Sequence, residues 1–380
     1  MSLFSPALAL LRQLVMVPTP NPPGYEERLL DVLQPLLQEA GFDCQRVPLH
    51  SGRASLVAVL PGELPGLALF AHLDTVRAEE VGWETAPFEL HARGSRFYGR
   101  GTADMKGGLA ASVVAAVDYA ISGAPRRRAL FLALTADEEY GYGGARSIQA
   151  AGLLDNCRTV VITEPTENLL FCGQKGEFWL ELRLHGKAAH GSVPETGVNA
   201  IEAALELASA LKAFVCGLAP IPGRGRSSFN LGEMQGGRQV NVVPDRCTMR
   251  VDLRLVCSSH RERILAFLAE RRESLRSAGL GLALEELAWV EPVLARAKRP
   301  DTERLLELLR ANGEHDEPVL APYSTDAVAF APAAAHADTE FMIFGPGSIA
   351  QAHQPNEYIE AQSLRDFVDT LRAALELWCA

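Results

Sequence analysis

The sequence predicts an α/β fold with a mixed, largely parallel central sheet flanked by helices. Two kinds of segment alternate through its first 170 residues. Short apolar runs bounded by Pro and Gly, such as SLVAVL (55–60) and LALFAHL (67–73), are typical of buried strands. Around these runs lie longer segments that are helix-like, at 25–40 and 109–121. Strands that alternate with helices favour a mostly parallel sheet covered on both faces.

Each of these elements has its own signal. The segment 25–40 repeats Leu and Val at helical spacing and stops at Gly41, a residue that commonly ends helices. The segment 109–121 is rich in Ala and Val without a polar stripe, so we expect a well-buried helix. Two more apolar runs, ALFLAL (129–134) and TVVIT (159–163), predict two further buried strands.

The pattern changes near Lys175. Apolar and polar residues alternate over 178–185, which predicts a strand with one buried face. With the segments that follow, it forms the order β-α-β-β-α-β, a split βαβ arrangement. These segments are a helix over 199–214, strands over 227–234 and 247–256, a helix over 261–278 and a strand over 280–290.

After Pro292 the α/β pattern returns, with a helix over 302–313 and a strand over 340–344. One domain is therefore interrupted by another. We predict an α/β domain formed by residues 1–175 and 291–380, and an inserted α+β, ferredoxin-like domain over 176–290.

Composition excludes several classes of protein. The 47 acidic residues outnumber the 36 basic ones, for a net charge of −11, which argues against a protein that mainly neutralises nucleic-acid phosphate. The seven cysteines include no Cys-x-x-Cys pair, so reduced thiols in a cytoplasmic protein are expected. The apolar N-terminus has no basic start, and no run approaches 18 apolar residues, so neither a secretory signal nor a membrane span is predicted.

Acidic and imidazole side chains follow the predicted buried strands. Ligands of open α/β sheets bind beyond the carboxyl ends of the strands, so these groups should converge on one site. The set is His72, Asp74, Glu138, Glu139, Glu164 and His353, with Asp104 in a Gly-rich loop before the buried helix. Two imidazoles and several carboxylates without cysteine suit two divalent ions, zinc first and cobalt or manganese as alternatives. A carboxylate shared by two ions would help to activate a water molecule.

Each of these residues also has a structural interpretation. A single histidine after a strand is more often structural than a ligand, and a Glu-Glu pair usually lies on a solvated surface. Glu164, which precedes Pro165, could be a turn residue. The coincidence of such groups at successive strand ends favours the metal site.

Eight motifs carry a resemblance to a known family that runs nearly end to end. The chain resembles the co-catalytic zinc metallopeptidases and aminoacylases, which include acetylornithine deacetylase, succinyl-diaminopimelate desuccinylase and glutamate carboxypeptidases. The motifs are AHLDTV (71–76), WETAPFEL (83–90), YGRGTADMKGG (98–108), TADEEYG (135–141), TEPT (163–166), HGKAAHGSVPETGVNAI (185–201), GGRQVNVVPD (236–245) and AHQPNEYI (352–359). The family opening usually has Pro where this chain has Arg77, which adds charge near the rim of the site.

The resemblance implies a role for each site residue. His72 and Glu164 would hold one ion, Glu139 and His353 the other, and Asp104 would bridge them. Asp74 would orient His72, and Glu138 would be the general base. The family also implies a cis peptide between Asp104 and Met105.

The resemblance implies that the inserted domain is a lid through which two chains form a homodimer. His190 would reach the neighbouring subunit's site and stabilise the oxyanion, although a turn histidine is the alternative. Asn241 and Arg254 would hold the substrate's carboxylate or backbone; Arg254 could instead belong to a solvated strand face. Thr325 and Gly347 would line the substrate pocket.

The implied reaction is hydrolysis of an amide in a small N-acyl amino acid. The C-terminal motif favours deacetylation of N-acetyl-L-ornithine. N-acetylcitrulline and N-acetyl-lysine deacetylases, a desuccinylase and a carboxypeptidase or dipeptidase stay open. A nucleotide-binding oxidoreductase is disfavoured because the glycines near residue 143 do not form G-x-G-x-x-G. A metal-bearing scaffold that only binds a partner is the remaining alternative.

Overall fold

The computed structural model describes residues 2–50, 52–78, 82–294, 299–313, 317–318, 320–330 and 338–379. Two compact units divide the chain. The first unit comprises Met1–Gly173, Ala295–Pro318 and Thr325–Ala380, and the second comprises Gln174–Leu294 and Val319–Ser324.

The strands and helices are numbered along the described chain. The strands are β1 (Asp43–His50), β2 (Arg53–Leu60), β3 (Glu63–His72), β4 (His91–Arg93), β5 (Arg96–Tyr98), β6 (Arg128–Thr135), β7 (Cys157–Ile162), β8 (Gly176–His185), β9 (Ser228–Gly236), β10 (Arg246–Leu255), β11 (Gly281–Val290), β12 (Glu340–Ile343) and β13 (Tyr358–Glu360). The helices are α1 (Phe4–Val15), α2 (Glu27–Glu39), α3 (Lys106–Ile121), α4 (Gly143–Ala150), α5 (Ala200–Gly217), α6 (Ser258–Ser277), α7 (Pro300–Asn312), α8 (Ala327–Phe330) and α9 (Ala361–Cys379).

A six-stranded sheet forms the centre of the first unit, in the order β1-β2-β6-β3-β7-β12. Strands β6, β3, β7 and β12 are parallel to one another, whereas β1 and β2 join antiparallel at one edge. The predicted mixed, largely parallel sheet is confirmed. All four residues of β12 are buried, as expected for a strand with both faces covered. Sequence analysis missed β1, an edge strand in which Val47 alone is buried and which contains Pro48.

Helix α3 packs against this sheet with most of its residues buried, and its first turn lies close to the end of β7. Gly107 and Gly108 are the second and third residues of the helix, and both are buried. A Cβ atom added to Gly108 would lie 2.1 Å from the carbonyl oxygen of Thr163, just beyond the end of β7. Glycine is therefore required for the helix start to lie this close to the strand end.

A small three-stranded sheet lies beside the long loops of the first unit. Strand β5 pairs antiparallel with both β4 and β13, and Tyr358 faces Tyr98 in this pairing. These strands have three residues each and no strong apolar pattern, so no local signal predicted them. They connect the segment after His353 to the segment before Asp104.

The second unit contains a four-stranded antiparallel sheet in the order β11-β8-β10-β9. Its elements follow the β-α-β-β-α-β order along the chain. The apolar side of β8 joins α5 and α6 in one buried cluster, while the alternate residues of the strand face away from it. No helix in the described ranges has both the length and the apolar character needed to cross a membrane.

Candidate metal centre

The predicted metal ligands meet at one edge of the first unit's sheet. His72 is the last residue of β3, and Glu164 lies two residues beyond β7. Glu139 follows β6 by four residues, and His353 lies in the loop after β12. These four strands are neighbours and parallel, so their carboxyl ends point to the same side.

One group of possible metal ligands consists of His72, Asp104 and Glu164, all buried. His72 Nε2 lies 3.0 Å from Asp104 Oδ1 and 3.8 Å from Glu164 Oε1. A nitrogen and two carboxylate oxygens at these distances can converge on one ion.

The second group consists of Asp104, Glu139 and His353. His353 Nε2 lies 3.3 Å from Asp104 Oδ2 and 2.9 Å from Glu139 Oε2. The other oxygen of Glu139 accepts a hydrogen bond of 3.1 Å from the backbone N–H of Val76, which fixes the carboxylate. Asp104 thus turns one oxygen to each group, as a bridging carboxylate would.

Electrostatics in this cluster favour cations. Burial works against a charged His72, but Glu164 and Asp104 raise its pKa well above the ordinary histidine value. Hydrogen bonds that the protonated ring donates to Asp104 and Glu139 raise the pKa of His353 to about 10. Burial, followed by repulsion from neighbouring carboxylates, raises the pKa of Glu164. The donor set of imidazole and carboxylate groups fits two divalent ions, which would offset this crowded negative charge.

His72 is oriented by the backbone of Asp74. Its Nδ1 lies 2.9 Å from the Asp74 carbonyl oxygen, so Nδ1 carries the proton and Nε2 is left to bind a metal. The Asp74 carboxylate, predicted to do this, is 3.8 Å from Nδ1 at its nearest oxygen. It instead accepts hydrogen bonds of 3.1 Å and 3.2 Å from the backbone N–H groups of Glu138 and Glu139.

A comparison with protein families agrees with this geometry. The model of Peptidase family M20/M25/M40 matches residues 68–377. The chain belongs to this family. It is therefore a metal-dependent hydrolase of amide bonds, and the resemblance predicted from its motifs is confirmed.

Individual M20 relatives and structures extend this result. A probable succinyl-diaminopimelate desuccinylase from Staphylococcus epidermidis is 29% identical, over 96% of both chains. An acetylornithine deacetylase from Photorhabdus laumondii is 31% identical, over 93% of this chain and 92% of that one. Among solved structures, aminopeptidase PepT from Bacillus cereus has a TM-score of 0.79 at 19% identity, over 98% of both chains. The YXEP protein of Bacillus subtilis, described as a dinuclear metal binding peptidase, has a TM-score of 0.73 at 16% identity, over 99% and 98%.

Two residues predicted to contact substrate lie together in the second unit of this M20 chain. The backbone N–H of Gly191 donates to the Asn241 carbonyl at 2.8 Å, and His190 pairs with Val242. Both His190 and Asn241 are exposed. His190 Nδ1 accepts a hydrogen bond of 3.1 Å from the backbone N–H of Ser192, which leaves its Nε2 as the donor.

Arg254, the other predicted substrate ligand of the second unit, already has acidic partners. Its Nη1 lies 2.8 Å from Glu177 Oε2, and its Nε lies 2.9 Å from Asp252 Oδ1. A substrate carboxylate would have to displace one of them. In the first unit, Thr325 is fully buried, and Gly347 (φ +80°) allows its loop to lie against Ala103.

Sequence analysis missed a buried polar network behind the candidate metal ligands. Asn21 Nδ2 donates to Asp74 at 2.7 Å and to Asp137 at 2.9 Å. Arg53 forms an ion pair of 3.0 Å with Asp137 and a bidentate ion pair with Glu26. The one sequence signal for this network was Arg53, a charged residue at the start of a buried strand.

Asp326 is a further buried acid that was missed, although its neighbour Thr325 was predicted. Its Oδ2 accepts a hydrogen bond from Thr135, and its Oδ1 has no hydrogen-bond partner among the described residues. Burial raises the pKa of Asp326 to about 7. Its charge also contributes to the raised pKa values of Glu138 and Glu164, so it lies in the electrostatic surroundings of the site.

Proposed function

We propose that this M20 hydrolase removes the acyl group from an N-acyl amino acid, with N-acetyl-L-ornithine as the first candidate substrate. The bridging arrangement of Asp104 carries the proposal, since its two oxygens lie 3.0 Å and 3.3 Å from the two histidines of separate ligand groups. This arrangement fits two cations side by side over the edge of the sheet. Such a pair of ions suits the hydrolysis of an unactivated amide.

Five residues would hold the ions. His72 and Glu164 would bind one ion, Glu139 and His353 the other, and Asp104 both. When bound, the ions would supply Lewis-acid polarisation of the amide carbonyl and lower the pKa of a water molecule. Zinc is the first candidate, because three protein ligands per ion with an open position is its usual catalytic arrangement; cobalt and manganese are the alternatives.

Glu138 is the proposed general base. It is half-buried, and its carboxylate forms no hydrogen bond or ion pair with any described residue, so it is free to exchange protons. Burial, then repulsion from Glu164, raises its pKa well above the ordinary value. Glu138 takes a proton from the water as the water oxygen attacks the amide carbon. It then delivers that proton to the amine nitrogen as the C–N bond breaks.

The acetyl group is proposed from two observations. Acetylornithine deacetylases from Photorhabdus laumondii and Proteus mirabilis are 31% and 30% identical to this chain, and probable desuccinylases are 27–29% identical. A succinyl group brings a second carboxylate, whereas the guanidinium of Arg254 is already paired with Glu177 and Asp252. Desuccinylation is the alternative within the same family.

We also propose a homodimer formed through the second unit, in which His190 serves the partner's site. With Nδ1 engaged by Ser192, the Nε2–H group of His190 can donate to the oxygen that becomes negative during attack. The exposed position of His190 is compatible with that role.

Two measurements test the proposed function. Purified protein with added zinc or cobalt is assayed on matched N-acetyl, N-succinyl and dipeptide substrates of ornithine, lysine and citrulline. The highest kcat/KM is expected for an N-acetyl amino acid; a preference for succinyl substrates or dipeptides would contradict the proposed substrate.

The second measurement uses Glu138→Gln, with exposed Glu206→Gln as the matched control. The first variant should lose about 10²- to 10⁴-fold in kcat while it keeps two ions per chain, counted by inductively coupled plasma mass spectrometry. Unchanged turnover would exclude Glu138 as the base, and the control should behave as wild type.

A further inference from the structure

Glu357 is a buried acid that takes no part in the reaction described above. Its side chain is 1% exposed, and it lies in the loop that follows His353. Its two oxygens accept four hydrogen bonds from one short segment. Oε1 accepts from the backbone N–H groups of Ala103 at 2.8 Å and Asp104 at 3.0 Å, and Oε2 from the backbone of Gly101 at 3.0 Å and Arg100 Nη1 at 2.7 Å.

The segment that donates these hydrogen bonds carries Asp104, the candidate bridging residue. Strand β5 ends at Tyr98 and α3 begins at Lys106, so residues 99–104 lie between regular elements. In the absence of a ladder or a helix, buried backbone N–H groups need other acceptors. Glu357 supplies the acceptor for Gly101, Ala103 and Asp104.

Glu357 also connects this segment to the loop of the second histidine. Its backbone carbonyl accepts a hydrogen bond of 3.0 Å from Gly99, and the next residue, Tyr358, pairs with Tyr98. His353 lies four residues before Glu357 in the same loop. Two candidate ligands that are 249 positions apart in the sequence thus lie on segments that Glu357 joins through its side chain and its backbone.

We propose that Glu357 is a positioning residue that sets the geometry of Asp104 and His353 for the second ligand group. This inference rests on the proposed metal centre and not on the substrate. An ion bound by Glu139, His353 and Asp104 depends on both of the segments that Glu357 joins. Of these two segments, an ion bound by His72 and Glu164 depends only on the one that carries Asp104.

The simpler interpretation makes Glu357 only the partner of the buried Arg100 guanidinium. Arg100 supplies one of the four hydrogen bonds, and the other three come from the backbone of the segment that ends at Asp104. A structural ion pair predicts lower stability. A positioning role predicts weaker metal binding in molecules that stay folded.

Glu357→Gln distinguishes the structural ion pair from the positioning role, because glutamine has the same shape as glutamate and only one acceptor oxygen. Whichever way its amide turns, the NH₂ group faces two donors: Ala103 and Asp104, or Gly101 and Arg100. Glu360→Gln is the matched control. Glu360 lies three residues further on, is half-buried, and is bound by Arg96 and Ser95.

The experiment is a titration of metal-free protein with Co²⁺ against a competing chelator, with the folded fraction measured by circular dichroism. Wild type and Glu360→Gln should each bind two ions. Glu357→Gln should keep one ion at near wild-type affinity and bind the other about 10- to 100-fold more weakly. Two ions at wild-type affinity in the folded variant would overturn the proposal.

If Glu357→Gln does not fold, Glu357→Asp decides, since it keeps the charge beside Arg100 and shortens the reach to the backbone. A folded Glu357→Asp should show the same selective weakening, and unchanged affinities would overturn the proposal. Failure of both variants to fold would overturn it too, because the residue would then be needed for the whole unit. No substrate is used, so failure of the proposed function on its substrate panel is a separate result.

Discussion

Replacing Arg53 by methionine tests whether the buried charges behind the metal centre stabilise the first unit. The Arg53 side chain is 6% exposed and Glu26 is fully buried. Arg53 Nε lies 2.9 Å from Glu26 Oε2, and Nη1 lies 3.0 Å from Asp137 Oδ1. Methionine has a similar length without the charge. In the variant, Glu26 would keep the long hydrogen bond of 3.3 Å from the Asp137 backbone N–H but lose its cationic partner.

The expected loss is about 3–5 kcal/mol in the free energy of unfolding, the range for a buried pair that loses one partner. The loss should depend on pH. Burial raises the pKa of Glu26, and its hydrogen bond to Arg53 limits that rise. Without Arg53 the folded-state pKa rises further, so the folded state holds a proton that the unfolded state releases. The deficit of the variant relative to wild type should therefore be smallest at acidic pH, where Glu26 is protonated in both folded proteins, and grow as the pH rises through the raised folded-state pKa of wild-type Glu26.

Urea unfolding followed by circular dichroism over a pH series measures this loss, and hydrogen exchange of peptides from each unit locates it. Arg46→Met is the matched control, because Arg46 forms a partly exposed ion pair with Asp31 and should change stability by less than about 1 kcal/mol. Equal effects of the two substitutions, or a deficit that shrinks as the pH rises, would refute the reasoning.

Three other outcomes are expected. Gly108→Ala places a Cβ 2.1 Å from the Thr163 carbonyl oxygen, so its free energy of unfolding should fall by about 1–3 kcal/mol. Gly217 has open space around it, so Gly217→Ala should not lower the free energy of unfolding. Equal urea midpoints for the two variants would contradict this. A chelator should abolish hydrolysis and lower the thermal midpoint, and zinc should restore both, since ions that bind only the folded chain stabilise it; an unchanged midpoint would count against the site. Mixed His190→Ala and Glu138→Gln chains should regain part of the activity if His190 acts across a dimer, and no recovery despite demonstrated subunit exchange would exclude that role.

The buried parallel strands could be predicted because each needs a continuous apolar run. Residues 67–73, 129–134 and 159–163 therefore signalled β3, β6 and β7 directly. The edge strand β1 and the short strands β4, β5 and β13 have no such requirement, since their pairing depends on partners far away in the chain. No local pattern in the sequence could place them.

The same reasoning explains which site residues were found. Ionisable groups directly after buried strands are conspicuous, whereas the acceptor for a loop, such as Glu357, is visible only once residues 99–104 are in place. Arg254 shows a second limit. Its neighbour Asp252 lies two residues away on the same face, but its partner Glu177 comes from the register of β10 with β8. Register is a property of the folded sheet, which the sequence of one strand does not contain.

Arg53 and Arg100 are buried near the candidate metal centre, and neither contacts a candidate ligand directly. Arg53 binds Glu26 and Asp137, and Arg100 binds Glu357. An arginine in direct contact with a ligand carboxylate would compete with a cation for the same oxygens. Each arginine instead stabilises a carboxylate that is not a candidate ligand and that in turn accepts hydrogen bonds from backbone or amide N–H groups. The oxygens of the candidate ligands therefore stay available to a cation. Substitutions of these arginines should therefore lower stability first, and alter metal binding only where the carboxylate they hold, as with Glu357, fixes a ligand loop.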